Sequence, residues 1–238
     1  MTPSTAAILN RLDAAIAAQG LLRHPFYQAW TRGELTLDAL RDYAAQYYHH
    51  VAAFPTYLSA VHAQSDDLPV RRHLLSNLID EEAGSPNHPE LWLQFADALG
   101  VPNSQATATQ PWPETRQLID TFRQACGTRG VAAGTAALYA YESQIPAVAE
   151  TKMAGLRSFY GIAADSALAY FAVHEQADRE HAATERNLLA GLLTEDNTPT
   201  VTRSVDQVLA ALNEMLSGVC RRHNIAETAY CPDTAIVT

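Results

Sequence analysis

The chain has 238 residues, 47% of them hydrophobic, enough to bury a large core in one large domain or two small ones. Its 16 basic and 26 acidic side chains leave a formal charge of −10, which argues against nucleic-acid or anionic-membrane binding, because either requires a basic face. Three cysteines, Cys126, Cys220 and Cys231, lie far apart without CxxC spacing, so neither a disulfide framework nor a zinc-thiolate site is expected and a reducing, cytoplasmic compartment fits.

Ala, Leu, Gln, Arg and Glu dominate and no window sustains strand alternation, so an all-α fold is expected. The first helix is read over about residues 4–18, closing near Gly20. Arg11 and Asp13 interrupt its apolar pattern, so no signal peptide is evident, and no apolar run approaches the ~18 residues needed to span a bilayer. An irregular stretch containing His24, Pro25, Phe26 and Tyr27 follows. Thr36 or Asp38 opens a long helix to about Ser65, which Pro55 should kink. A third helix occupies about 69–83 and stops at Gly84-Ser85-Pro86-Asn87, and Pro89 suits the first turn of the next, ending near Gly100. Pro111 and Pro113 mark entry to one that reaches about Cys126, and Gly130 precedes another running to about Tyr160, with a break expected at Pro146. Asp165 opens a helix to about Leu193, and the last spans about 201–222. The expectation is a single-domain antiparallel bundle of about seven helices over residues 1–225, with 226–238 a flexible tail.

The segment from His174 to His181 carries the strongest chemical signal. At about 100° per residue, His174, Asp178 and His181 share one stripe with Phe171 and Leu188, residues that a helix turns toward a core. Burying two imidazoles and a carboxylate together is costly unless something compensates, and a divalent metal ion does so. The bland alternative is a solvated His/Asp face. Glu142 lies in phase with Leu138 and Ile145, again a carboxylate on an apolar seam, where pairing with an arginine is the competing explanation. Asp80-Glu81-Glu82 ends a helix, and His88 returns in the short loop behind it, either as a ligand or as a cap. Periodicity does not choose between Glu81 and Glu82, because Val70, Leu74 and Leu78 favour the first and Leu75 and Ile79 the second. Three carboxylates and three imidazoles suit a pair of oxygen- and nitrogen-liking ions held between helices.

Lys152 stands out by composition, since the other 15 of the 16 basic residues are arginines. Only lysine can deprotonate to a transferable primary amine. Tyr43 shares a stripe with Tyr47, His50, Phe54 and Tyr57, for which aromatic packing is the simpler reading, and Tyr141 adjoins Glu142.

These residues resemble those of the haem-oxygenase-like dimetal oxidases, and within them the self-sacrificing 4-aminobenzoate synthases, over nearly the whole chain to about residue 225. The resemblance implies a haem-oxygenase-like bundle and six metal ligands, Glu81, His88, Glu142, His174, Asp178 and His181, with Glu81 preferred over Glu82. It also implies two transition-metal ions, iron–iron or manganese–iron, with dioxygen and an external reductant as co-substrates. The product would be 4-aminobenzoate, a folate precursor. Tyr27 matches the sacrificed ring, Tyr43 and Tyr141 its neighbouring tyrosines, and Lys152 the amine donor. Replacing Lys152 by Arg is expected to leave folding and metal binding nearly unchanged while removing the transferable amine. The rival expectations are a dimetal oxygenase of a free small molecule, using the same ligands without Tyr27 or Lys152, and a non-enzymatic protein-binding module. A homodimer is common among such bundles. The sequence names no electron donor.

Overall fold

The computed structural model describes residues 4–226; the tail expected from residue 226 lies almost wholly outside them. Eleven α-helices and one 3₁₀ turn make up the regular structure of the described residues, and none of it is strand. They are α1 (Thr5–Ala18), α2 (Pro25–Thr31), α3 (Leu37–Gln64), α4 (Leu68–Glu82), α5 (His88–Ala98), α6 (Asn103–Ala108), α7 (Pro113–Thr128), α8 (Val131–Glu142), α9 (Ile145–Phe159), α10 (Asp165–Leu192) and α11 (Thr198–Arg222). No helix among them is long and apolar enough to cross a membrane.

Local chemistry sets most boundaries. Ser4, Thr36 and Asp67 turn their side chains onto backbone N–H groups of the first turns of α1, α3 and α4. Asn87 and Glu90 close a reciprocal capping box around α5, with Pro89 in its first turn. The count exceeds the expectation of about seven, and three of the helices were not read separately from the sequence. Pro25, capped by the His24 side chain onto Phe26 N, starts a short helix where a loop was expected, so Tyr27 is helical. Residues 103–108 coil once more after Pro102. The expected break at Pro146 falls instead at Ser143–Gln144, and Pro146 occupies the first turn of α9, where its missing N–H costs nothing. Pro55 does not interrupt α3, which continues to Gln64.

Helix α8 is the centre of the bundle. Every residue from Ala133 to Glu142 is buried, as expected of a helix apolar on all sides and packed against α3, α7, α10 and α11. Gly134 allows that approach, because a Cβ there would lie 2.5 Å from Val61 Cγ2 of α3. Gly155 does the same between α9 and α2, where a Cβ would sit 2.4 Å from Trp30 Nε1. The Trp30 indole N–H donates to the Lys152 carbonyl, which fixes α2, and with it Tyr27, against the turn of α9 that carries the lysine.

Candidate metal centre

Four helices converge on two clusters of metal-ligating side chains. In the first, ligand atoms of Glu81 (end of α4), His88 (start of α5) and His174 (α10) all lie within 4.8 Å of one another. In the second, Glu142 (end of α8), Asp178 and His181 (both α10) do the same. The structure thus brings together all six sequence-predicted ligands, three per cluster, and resolves the ambiguity at the end of α4, where Glu81 is buried and Glu82 exposed. His88 is not in a loop as expected: Asn87 takes the cap and His88 is the first residue of α5.

Contacts around the clusters fix their orientation. His174 Nδ1 lies 2.7 Å from the Tyr170 carbonyl, so its N–H donates there and Nε2 is left facing Glu81 Oε1 at 3.7 Å. Glu81 Oε2 lies 3.1 Å from His88 Nδ1, and Asp178 Oδ1 lies 3.5 Å from His181 Nδ1. Asn77 Nδ2 donates to Glu142 Oε1 at 2.8 Å, while Asp80 Oδ2 stands 3.3 Å from His181 Nε2.

The clusters fit metal ions on their own evidence. Glu142 Oε2, Asp178 Oδ2, His88 Nδ1 and His181 Nδ1 are buried without a hydrogen-bond partner, the condition of atoms aimed at something other than a proton donor. Electrostatics agree. Burial alone would lower both imidazoles, yet Asp178 and Glu81 push His174 up to about 9, and Asp178 and Glu142 push His181 up to about 9. Burial would raise Glu81, but the adjacent His174 and His88 imidazoles hold it down to about 2. Burial, then Glu185 and Asp178, push Glu142 well above the usual carboxylate range. A site so short of positive charge, with only oxygen and imidazole donors, suits iron or manganese.

Beside this centre lies a tyrosine–lysine pocket. Lys152 is buried (4% exposed), and its Nζ donates to Tyr43 Oη at 2.6 Å. The rings of Tyr27, Tyr43, Tyr47, Trp92 and Phe171 surround that nitrogen at 5.0–5.7 Å. Burial lowers the amine from its ordinary 10.5 to about 7. Tyr27 Oη is 3.4 Å from Tyr43 Oη, and burial raises both phenols. Tyr47 and Tyr141 pair through their hydroxyls at 2.9 Å, and the Tyr43 and Tyr47 rings lie 5.3 Å apart. Two cavities of about 10 Å³, room for one water-sized molecule each, border the centre. One touches Glu81, Glu142 and Asp178, the other Lys152, and Tyr141, Tyr170 and His174 line both. The expectation that Lys152→Arg would leave folding almost untouched is corrected here, since a guanidinium that cannot deprotonate would have to occupy an aromatic pocket.

The sequence reading did not assign Tyr47, Tyr170, Asn77 or Glu185 to the site. Helical spacing held the signal: Tyr170 precedes His174 by four, Asn77 precedes Glu81 by four, and Glu185 follows His181 by four.

An all-helical bundle with two buried carboxylate–imidazole clusters beside redox-capable aromatic side chains defines a metal-dependent oxidoreductase. The chain belongs to the iron-containing redox enzyme family, whose model matches residues 41–213. It is 45% identical over 207 residues to the 4-aminobenzoate synthase of Chlamydia muridarum, covering 87% of this chain and 84% of that protein. It is 38% identical over 245 residues to the 4-aminobenzoate synthase of Nitrosomonas europaea, covering 99% of each. Among solved structures, a domain of unknown function with a heme oxygenase-like fold from Shewanella denitrificans superposes with a TM-score of 0.72 at 17% identity, covering 96% of this chain and 95% of that one. The fold is haem-oxygenase-like, as the sequence implied.

Proposed function

We propose that this chain makes 4-aminobenzoate, with its own Tyr27 as the source of the ring and Lys152 as the source of nitrogen. The observation that carries the reading is the placement of the chain's single lysine. A lysine kept for charge would reach water, whereas this one is buried among aromatic rings, one hydrogen bond from Tyr43 and 5.7 Å from the Tyr27 ring. The naming of its relatives as 4-aminobenzoate synthases supports the same product.

Glu81, His88 and His174 would hold one ion, and Glu142, Asp178 and His181 the other, as iron–iron or manganese–iron. When bound, the pair supplies reductive activation of dioxygen with electrons from an external reductant. The chain's own residues supply the rest. Lys152, lowered to about 7, has about half of its amine unprotonated at neutral pH, the form that can bond to carbon. Tyr27 presents a phenol whose proton burial retains. Its conversion requires cleavage of the Cα–Cβ bond, oxidation of Cβ to a carboxylate at the expense of dioxygen, and replacement of the phenolic oxygen, released as water, by the Lys152 nitrogen with cleavage of its Cε–Nζ bond. Tyr141 borders the centre, Tyr47 hydrogen-bonds to it, and Tyr43 touches both Tyr27 and Lys152. The four hydroxyl-bearing rings therefore form a route for electron transfer from Tyr27 toward the metals, hydrogen-bonded in two pairs that meet at the Tyr43–Tyr47 ring contact. Burial of the whole set keeps bulk water from the reacting atoms.

An oxygenase of a free organic substrate would use the same ligands, but it needs a substrate-sized cavity, and the two cavities bordering the centre hold one water-sized molecule each. Intact mass before and after exposure to metal, reductant and oxygen separates the two. Loss of mass localised to Tyr27 is expected. An unchanged protein that turns over an added substrate would refute the reading.

A further inference from the structure

We infer that Glu185 is a further carboxylate ligand of the second metal position, the one formed by Glu142, Asp178 and His181. The inference rests on the two-metal reading above and extends it by one side chain.

Glu185 follows His181 by one helical turn and Asp178 by two, so α10 delivers all three along one stripe. It is 0% exposed, and neither carboxylate oxygen has a hydrogen-bond partner. Among the described residues, the imidazole of His73 on α4 stands with Nε2 3.9 Å from Oε1, itself without a hydrogen bond. The His73 ring lies 6.0 Å from that of His181, so it backs the same corner of the site. The Glu185 carboxyl faces that of Glu142, whose own Oε2 is also unpartnered. Two buried carboxylates set face to face repel unless a proton or a cation lies between them. Water cannot relieve Glu185 at zero exposure, and the ions implied next door carry the charge that would. Glu185 lies beside the trio rather than within its mutual 4.8 Å, so its side chain would turn to reach the ion. Manganese(II) and iron(II) favour five or six donors, mostly oxygen, and three residues supply too few by themselves.

The test is an anaerobic titration of the metal-free full chain with manganese(II) alone, followed by calorimetry and by the electron paramagnetic resonance of the free ion. Wild type should bind two ions. Glu185→Gln, which keeps shape and hydrogen-bonding capacity but removes the ligand charge, should bind the first ion as wild type does and the second at least tenfold more weakly. That intact first site reports a folded chain. Glu185→Asp, which keeps the charge on a shorter stem, should recover part of the loss, as a purely structural role would not. Two ions at unchanged affinity in Glu185→Gln would overturn the assignment of Glu185 alone. Fewer than two ions on wild type would overturn the two-metal reading and this assignment with it.

Discussion

Replacing Lys152 by Met tests the buried amine through stability alone, with no catalytic step involved. Methionine matches the unbranched stem and fills the same aromatic pocket without a charge. The fall of the amine from 10.5 to about 7 amounts to about 5 kcal/mol of cost when the folded chain must bury a cation or surrender a proton at neutral pH. The sign follows from proton linkage. Below about 7 both folded and unfolded chains hold the proton and the whole cost is present. Between about 7 and 10.5 only the unfolded chain holds it, so wild-type stability rises with pH by about 1.4 kcal/mol per pH unit. Methionine forfeits the hydrogen bond to Tyr43 and the attraction of the surrounding rings, together about 2 kcal/mol. The variant should therefore be more stable than wild type by about 3 kcal/mol at pH 7 and about equal near pH 9. Urea unfolding of both metal-free chains at pH 7, 8 and 9 measures this, and every other titrating group cancels in the difference. Parallel stability profiles across that range would refute the reasoning.

Three further outcomes are expected. His174→Ala and Glu142→Ala should each lower the metal content of a reconstituted sample, by elemental analysis, because each removes a donor from a different cluster; unchanged content in both would contradict the ligand assignment. Tyr27→Phe should abolish 4-aminobenzoate while retaining metal, since the phenol lies 3.4 Å from Tyr43 and belongs to neither cluster; product at wild-type yield, by mass spectrometry, would exclude Tyr27 as its source. Gly155→Ala should destabilise the chain by about 1–3 kcal/mol in thermal or urea unfolding, because its methyl would meet Trp30 Nε1 at 2.4 Å, and an unaltered midpoint would mean that α2 yields there freely.

What the sequence made legible was what repeats at helical spacing. The stripe through His174, Asp178 and His181 and the seam placing Glu142 were readable because core-facing apolar neighbours mark the buried side of a helix. Glu81 and Glu82 were not separable on that basis, since α4 carries apolar residues on both candidate faces, with Leu75 and Ile79 left exposed in the folded chain. Tyr27 falls in a stretch that reads as irregular, whereas Pro25 in the first turn starts a short helix. Glu185 escaped notice because a glutamate followed by Arg186 reads as surface; only the packing of α4 and α8 against α10 shows that it is enclosed, while Arg186 turns away to Asp13. The burial of Lys152 was equally hidden, as a lysine is presumed solvent-facing until its neighbours are known.

The central claim, that the protein is consumed to make its product, is tested most directly by isotopes. Chain grown with ring-deuterated tyrosine and nitrogen-15 lysine, in which Lys152 is the single labelled side-chain amine, is reconstituted with metal and exposed to reductant and oxygen in unlabelled buffer. The expected product is 4-aminobenzoate carrying both labels, at no more than one equivalent per chain. Unlabelled product, or many equivalents per chain from an added precursor, would contradict it.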